Sequence, residues 1–73
     1  MDKVLFPLTA DGRYRLASDP LQWIIQRKRG ESERYEAVSF HRQKASLLAY
    51  FKEHKISLNP NALSLLSELP DWK

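Results

Sequence analysis

Leu21-Gln22-Trp23-Ile24-Ile25-Gln26-Arg27-Lys28-Arg29 passes from an apolar, β-prone run into a cationic one without a break. Successive side chains of a strand point to opposite faces. That alternation puts Leu21, Trp23, Ile25 and Arg27 on one side and Gln22, Ile24, Gln26 and Lys28 on the other. The first set is a core face, anchored by a tryptophan that brings a large burial area and an indole N–H in need of a partner. The second is half polar. A strand with one apolar and one mixed face belongs to an antiparallel sheet covered on one side, with its other side left to water or to a partner.

Upstream, Arg13-Tyr14-Arg15-Leu16-Ala17 also alternates, with Tyr14 and Leu16 inward and Arg13 and Arg15 outward, and Ser18-Asp19-Pro20 makes the turn between the two strands. Val4-Leu5-Phe6-Pro7-Leu8 is apolar, but its proline removes a ladder donor, so residues 1–10 are expected to form an extended arm. Asp11-Gly12 suits a tight turn through which the arm pairs weakly with the strand after it.

Downstream, Gly30-Glu31-Ser32-Glu33 reads as a polar hairpin loop. Alternation from Arg34 to Phe40 puts Glu36, Val38 and Phe40 on the core side and Tyr35, Ala37 and Ser39 on the open one. From Gln43 to Lys55 the period becomes helical, with Ala45, Leu48, Phe51 and Lys55 on one stripe and Leu47 and Tyr50 beside it. Asn59-Pro60 opens a shorter helix that carries Ala62, Leu65, Leu66 and Leu69, and Pro70 ends it. The expected fold is α+β: a small three-stranded antiparallel sheet packed on one face by a helix, with a second short helix (β-β-β-α-α). Residues 1–73 form a single domain, 71–73 are a tail, and Trp23, Ile25, Val38, Phe40, Leu48 and Phe51 make the core.

At 73 residues, a domain buries only about 60% of the surface its unfolded chain exposes, so modest stability is expected. Cysteine is absent, which removes disulfides and thiolate metal sites and fits a reducing cytoplasm. The N-terminal apolar run is broken too soon by Pro7 for a secretory leader, and no stretch has membrane-spanning length. The net charge is +3 and unevenly placed: between Arg13 and Lys55, ten Lys/Arg face five acids. Such a middle favours an acidic partner, either nucleic acid or an acidic protein surface.

Chemistry is sparsely represented. Ser39 and His41 share a strand face, but a nucleophile and base also need an orienting group, and no third residue is evident from spacing. The other histidine, His54, suits a helix C-terminus through its charge. Two histidines thirteen positions apart with scattered carboxylates do not make a metal site. Glu31, Glu33 and Glu36 pair more readily with Arg29 and Arg34 than with a substrate. Isolated Gly12 and Gly30 build no phosphate-cradling loop. A non-enzymatic protein without cofactor or metal is expected.

Two binding roles remain open. Arg27, Lys28 and Arg29 at a strand end, Arg34 across the hairpin, and Arg13 and Arg15 on the neighbouring strand could converge on a basic patch with Tyr35 among them. Equally, these cations could solubilise the sheet and guard its edges. Leu5 and Phe6 of the arm are further contact candidates, with core packing as the alternative. A sheet backed by a helix, Trp23 to Phe40 followed by Ala45 to Phe51, resembles in element order the plant AP2-type domain and the arm-binding domains of some tyrosine integrases. That resemblance implies DNA binding through the sheet. The "LQWIIQRKRG" strand and "SLLAYFKEH" helix, with the length and mild basicity, resemble the short inhibitors and antiterminators of host bacterial RNA polymerase found in phages such as a lytic phage of Xanthomonas. This second resemblance implies a monomer in the host cytoplasm that binds polymerase near the N-terminus of β′. It also implies inhibition of σ-dependent initiation and read-through of terminators.

Overall fold

The computed structural model describes residues 2–73. Four strands, β1 (Lys3–Pro7), β2 (Tyr14–Ser18), β3 (Trp23–Lys28) and β4 (Tyr35–His41), precede two helices, α1 (Lys44–Glu53) and α2 (Pro60–Ser67). The sheet is an antiparallel meander in the order β1-β2-β3-β4. The α+β class and both helices agree with the sequence reading; the number of strands does not. The expected arm is β1. Pro7 is accommodated because β1 lies at the sheet edge, where a missing N–H breaks no ladder.

β1 reaches the core by means of a bulge. Val4 pairs with Ala17 and Phe6 with Leu16, leaving Leu5 as the extra residue. Strict alternation would place Leu5 and Phe6 on opposite faces. With the bulge, both pack against the core, and Leu8 just beyond is fully buried. The Leu8 amide donates to the Tyr14 carbonyl at 2.9 Å, and the Leu8 carbonyl accepts from the Asn59 amide at 2.9 Å. The start of the chain is thereby tied to the start of α2.

A second bulge decides the other edge. Ile25 pairs with Ser39 and Gln26 with Ala37, so Val38 is the extra residue in β4. Val38 and Ser39 therefore both lie on the helix side, and every later residue changes face. Phe40, expected in the core, is 56% exposed on the open side. His41, opposite Trp23, takes the helix side instead.

The buried cluster is Leu8, Leu16, Trp23, Ile25, Leu47, Phe51, Ala62 and Leu66, with Val38, Tyr50, Ile56, Leu58 and Leu69 packed around it. Trp23, Ile25 and Phe51 occupy their expected places. Leu48 does not: α1 is rotated so that Leu47 and Phe51, four residues apart, enter the core and Leu48 is 39% exposed. Leu21 is also exposed, because the Asp19 turn holds it outside the strand. In that turn the Asp19 carboxylate accepts from the Leu21 and Gln22 amides at 2.8 and 2.9 Å.

The helix ends explain the tail. α2 is capped from its own sequence, since the Asn59 side chain accepts from the Ala62 amide at 2.7 Å with Pro60 in the first turn. α1 has no such cap at Gln43. Its first amide, Lys44 N–H, donates to the Asp71 carbonyl at 2.8 Å, and the Lys73 amide donates to the Arg42 carbonyl at 2.8 Å. The Lys44 ammonium in turn donates to the Ser67 and Leu69 carbonyls, each at 3.0 Å, at the open end of α2. Residues 71–73 are thus a clasp between the helices, in which Trp72 bridges Gln43 through its backbone while its side chain is exposed. Among the described residues, no helix is long and apolar enough to cross a membrane.

Trp23→Ala should destabilise the domain by about 3 to 5 kcal/mol and Leu47→Ala by about 2 to 5 kcal/mol, as core truncations do. Leu48→Ala should cost under about 1 kcal/mol, because surface substitutions usually stay small. Urea denaturation checks the set, and equal losses at positions 47 and 48 would contradict the rotation of α1.

Candidate interaction face

Pairing across the sheet places residues of neighbouring strands side by side on one face. On the side away from the helices, Val4, Ala17, Ile24 and Phe40 are successive partners and form an apolar row across all four strands. Its centre is shielded, with Ile24 only 1% exposed, whereas its ends are open, Val4 at 48% and Phe40 at 56%. The next row is Pro7, Arg15, Gln26 and Ala37. Lys28 and Tyr35 follow as a pair, with Arg13 beside Lys28, whose amide donates to the Arg13 carbonyl at 2.7 Å. Same-face rows along a strand are about 7 Å apart, so the apolar row borders the cationic one.

Arg15 is the organised member of this face. Its Nε donates to Gln26 Oε1 at 2.6 Å, and its guanidinium carbon sits 3.8 Å from the Tyr35 ring centroid. The Tyr35 hydroxyl in turn donates to the Gly12 carbonyl at 2.6 Å. Gly12 takes φ of +74°, in the left-handed region where a glycine carries no steric cost. The turn before β2, the ring on β4 and the amide on β3 together fix one guanidinium plane. Such a cation–π contact contributes about 0.5 to 1 kcal/mol at a partly exposed site.

The remaining cations are dispersed. Arg27 pairs with Tyr14 and Glu36 in the sheet, on the helix side of the register. Arg27 and Arg29 lie 3.7 and 3.8 Å from the same Glu36 carboxylate, in exposed ion pairs of little energetic weight. Arg34 is exposed beside the hairpin loop. Of the nine residues singled out for contact, Arg13, Arg15, Lys28 and Tyr35 share the open face. Arg27 and Arg29 are turned to the other side, and Leu5 and Phe6 are half-buried against the core. Phe40 and Val4 belong to the face and were not among those residues. Their positions follow from the two bulges, which leave no mark in an alternating sequence.

Ser39 and His41 do meet. Ser39 Oγ is 2.6 Å from His41 Nε2, and His41 Nδ1 is 2.8 Å from Ser46 Oγ on α1. The ring also meets Tyr50 edge-on at 5.5 Å, and Tyr50 stacks on His54 at 4.1 Å. The third group is therefore a hydroxyl. Both partners of the imidazole can donate or accept, so either neutral tautomer satisfies the chain, and a hydroxyl stabilises an imidazolium less than a carboxylate does. The contacts join β4 to α1 across the loop between them. Burial lowers the pKa of His41. Among the described residues, no group of three or more His, Cys, Asp or Glu side chains is placed to hold a metal ion.

No family model, no curated protein and no solved structure matches the chain. What the fold and the face define is a small α+β domain with a four-stranded antiparallel sheet, two helices on one side, and an uncovered side that combines an apolar row with a braced arginine.

A histidine whose pKa falls on folding favours the native state while it is neutral. That stability is full above the ordinary pKa of about 6.5 and is lost as pH falls below it toward the folded value. Asp11 is also lowered, first by its hydrogen bond from the Thr9 hydroxyl, and Asp19 first by the Leu21 amide; their contributions are lost only as pH falls below 3.8. Urea midpoints should therefore drop between neutral and mildly acidic pH in the parent and stay level in His41→Gln over that window. A parent with no slope there would contradict the lowered pKa of this half-buried imidazole.

Proposed function

We propose that this chain is a non-enzymatic binding protein of phage type that docks host bacterial RNA polymerase through its open sheet face. In this reading it acts as a monomer in the host cytoplasm, contacts the N-terminal region of β′, inhibits σ-dependent initiation and promotes antitermination. The identity of the partner rests on the resemblance of the β3 and α1 segments to short phage inhibitors. The use of this face for a protein partner rests on one observation: Phe40, in register with Val4 and Ile24, is 56% exposed on the side that no helix covers. Uncovered apolar side chains on the same face as a fixed arginine are what a protein interface uses for its central anchors. The partner surface is acidic by charge complementarity, because the strand residues on this face include Arg15 and Lys28 and no carboxylate. A bound regulator of this kind changes the distribution of states of its target and requires no catalytic group.

The second reading is DNA binding through the same face, favoured by the convergence of Arg13, Arg15 and Lys28 there. It requires affinity that falls steeply with salt as phosphate counterions are released. The apolar row tells against it, since a groove offers that row few apolar contacts.

Retention of polymerase from bacterial lysate on the immobilised protein, with and without nuclease, separates the two readings. Polymerase should survive nuclease treatment, and Phe40→Ser should weaken retention by about tenfold, equivalent to about 1.4 kcal/mol, with little change in thermal stability. Replacing Arg27 and Arg29 by Gln should have a smaller effect than replacing Arg13, Arg15 and Lys28. Loss of polymerase on nuclease treatment would replace the protein reading with the nucleic-acid one.

A further inference from the structure

The proposed docking face holds a braced guanidinium that the described residues leave unpaired, and its surroundings specify the chemistry that completes it. Arg15 is half-buried and held at two points, its Nε on Gln26 and its plane over Tyr35. Gln26, the acceptor, is itself 8% exposed. Among the described residues, Arg15 has no ion-pair partner, and its two terminal nitrogens have no acceptor. The other cations differ. Arg27 and Arg29 share Glu36, and Arg13 and Lys28, which also lack an ion-pair partner, have no side-chain hydrogen bond or ring contact among the described residues to hold them.

A guanidinium is a planar fork, and with Nε engaged its two terminal nitrogens present parallel N–H bonds to one planar oxyanion. Ordering a long side chain normally costs rotamer entropy at the moment of binding. Here the ring of Tyr35 and the amide of Gln26 have already imposed that order. The strand positions of this face carry no acid, and among the described residues no carboxylate lies within ion-pair distance of Arg15.

On the reading of this face as a protein-docking surface, we propose that Arg15 is a preset receptor for a side-chain carboxylate of the partner, engaged end-on through its two terminal nitrogens. A phosphodiester backbone is the less fitting source. It presents a run of charges that Arg13 and Lys28 could also meet, but only Arg15 is held at two points, and the apolar row ending in Phe40 on the same face would be left without a complement. A protein partner supplies both complements, an Asp or Glu for Arg15 and an apolar side chain for Phe40.

The test uses the whole chain labelled with nitrogen-15 and follows the arginine Nε–Hε signals during titration with acetate, acetamide and dimethyl phosphate at constant ionic strength. Acetate should shift the Arg15 signal along a saturating curve, with only small linear drifts at Arg27 and Arg29, and acetamide, its neutral counterpart, should not. In Arg15→Lys, which keeps the charge and loses the fork, acetate should no longer shift the Gln26 and Tyr35 backbone amides. An Arg15 response no larger than that of the other arginines overturns the proposal. So does a stronger response to dimethyl phosphate, which carries the same single charge as acetate and would make nucleic acid the source. Since no polymerase is needed, the two proposals fail separately. A saturating acetate response with no polymerase retained removes only the assigned partner, and undiminished retention by Arg15→Lys removes only the carboxylate contact.

Discussion

An extra residue in an edge strand sets the character of this protein. Val38 has no partner across the ladder, and by occupying the helix side together with Ser39 it shifts the remainder of β4 by one face. His41 then lies above Trp23 and joins Ser46 on α1, while Phe40 leaves the core for the open side. Were β4 regular, Phe40 would lie under the helices and the open face would lose its largest apolar side chain. A bulge costs a ladder pairing and increases local twist. Here it couples the sheet to the helix on one side and exposes Phe40 on the other.

Both outer strands carry such an irregularity, at Leu5 in β1 and Val38 in β4, and β1 adds Pro7. Edges of this kind are poor templates for a further strand. Neither edge is accordingly suited to the addition of a further strand. The open face combines two features of different physical origin: an apolar row, already dry at Ala17 and Ile24 and exposed at Val4 and Phe40, and a guanidinium whose orientation is fixed by an aromatic ring, a buried amide and a turn glycine. The second depends on strands distant in the chain, because Gly12, Arg15, Gln26 and Tyr35 belong to four separate segments.

The helices show a similar division between local and distant control. Asn59-Pro60 contains its own cap, so the start of α2 is dictated within three residues of sequence. α1 begins without one, and the carbonyl of Asp71 is brought to it from the far end of the chain. A reading by local signals sees residues 71–73 as a tail because the amide they satisfy lies outside their neighbourhood. Ser46, by contrast, is only five residues from His41 and reaches it because the chain turns from β4 into α1 between them.

Alternation and helical period were sufficient to establish the α+β class, the inward set Leu16, Trp23 and Ile25, the outward set Arg15, Gln26 and Lys28, and the position of Tyr35 on the open face. These are properties of neighbouring residues on one strand, and a regular backbone fixes them without knowledge of the remainder. Tertiary structure decided the rest: that residues 3–7 form a strand, that Leu47 and not Leu48 faces the core, that Phe40 is exposed, and that Arg27 and Arg29 leave the patch they were expected to form. The first three depend on where a strand pairs or bulges and how a helix rotates to fill a space, adjustments set by packing between elements that are remote in the sequence. Arg27 lies on the side that alternation along β3 gives it, and the Glu36 carboxylate across the ladder draws Arg29 to the same side.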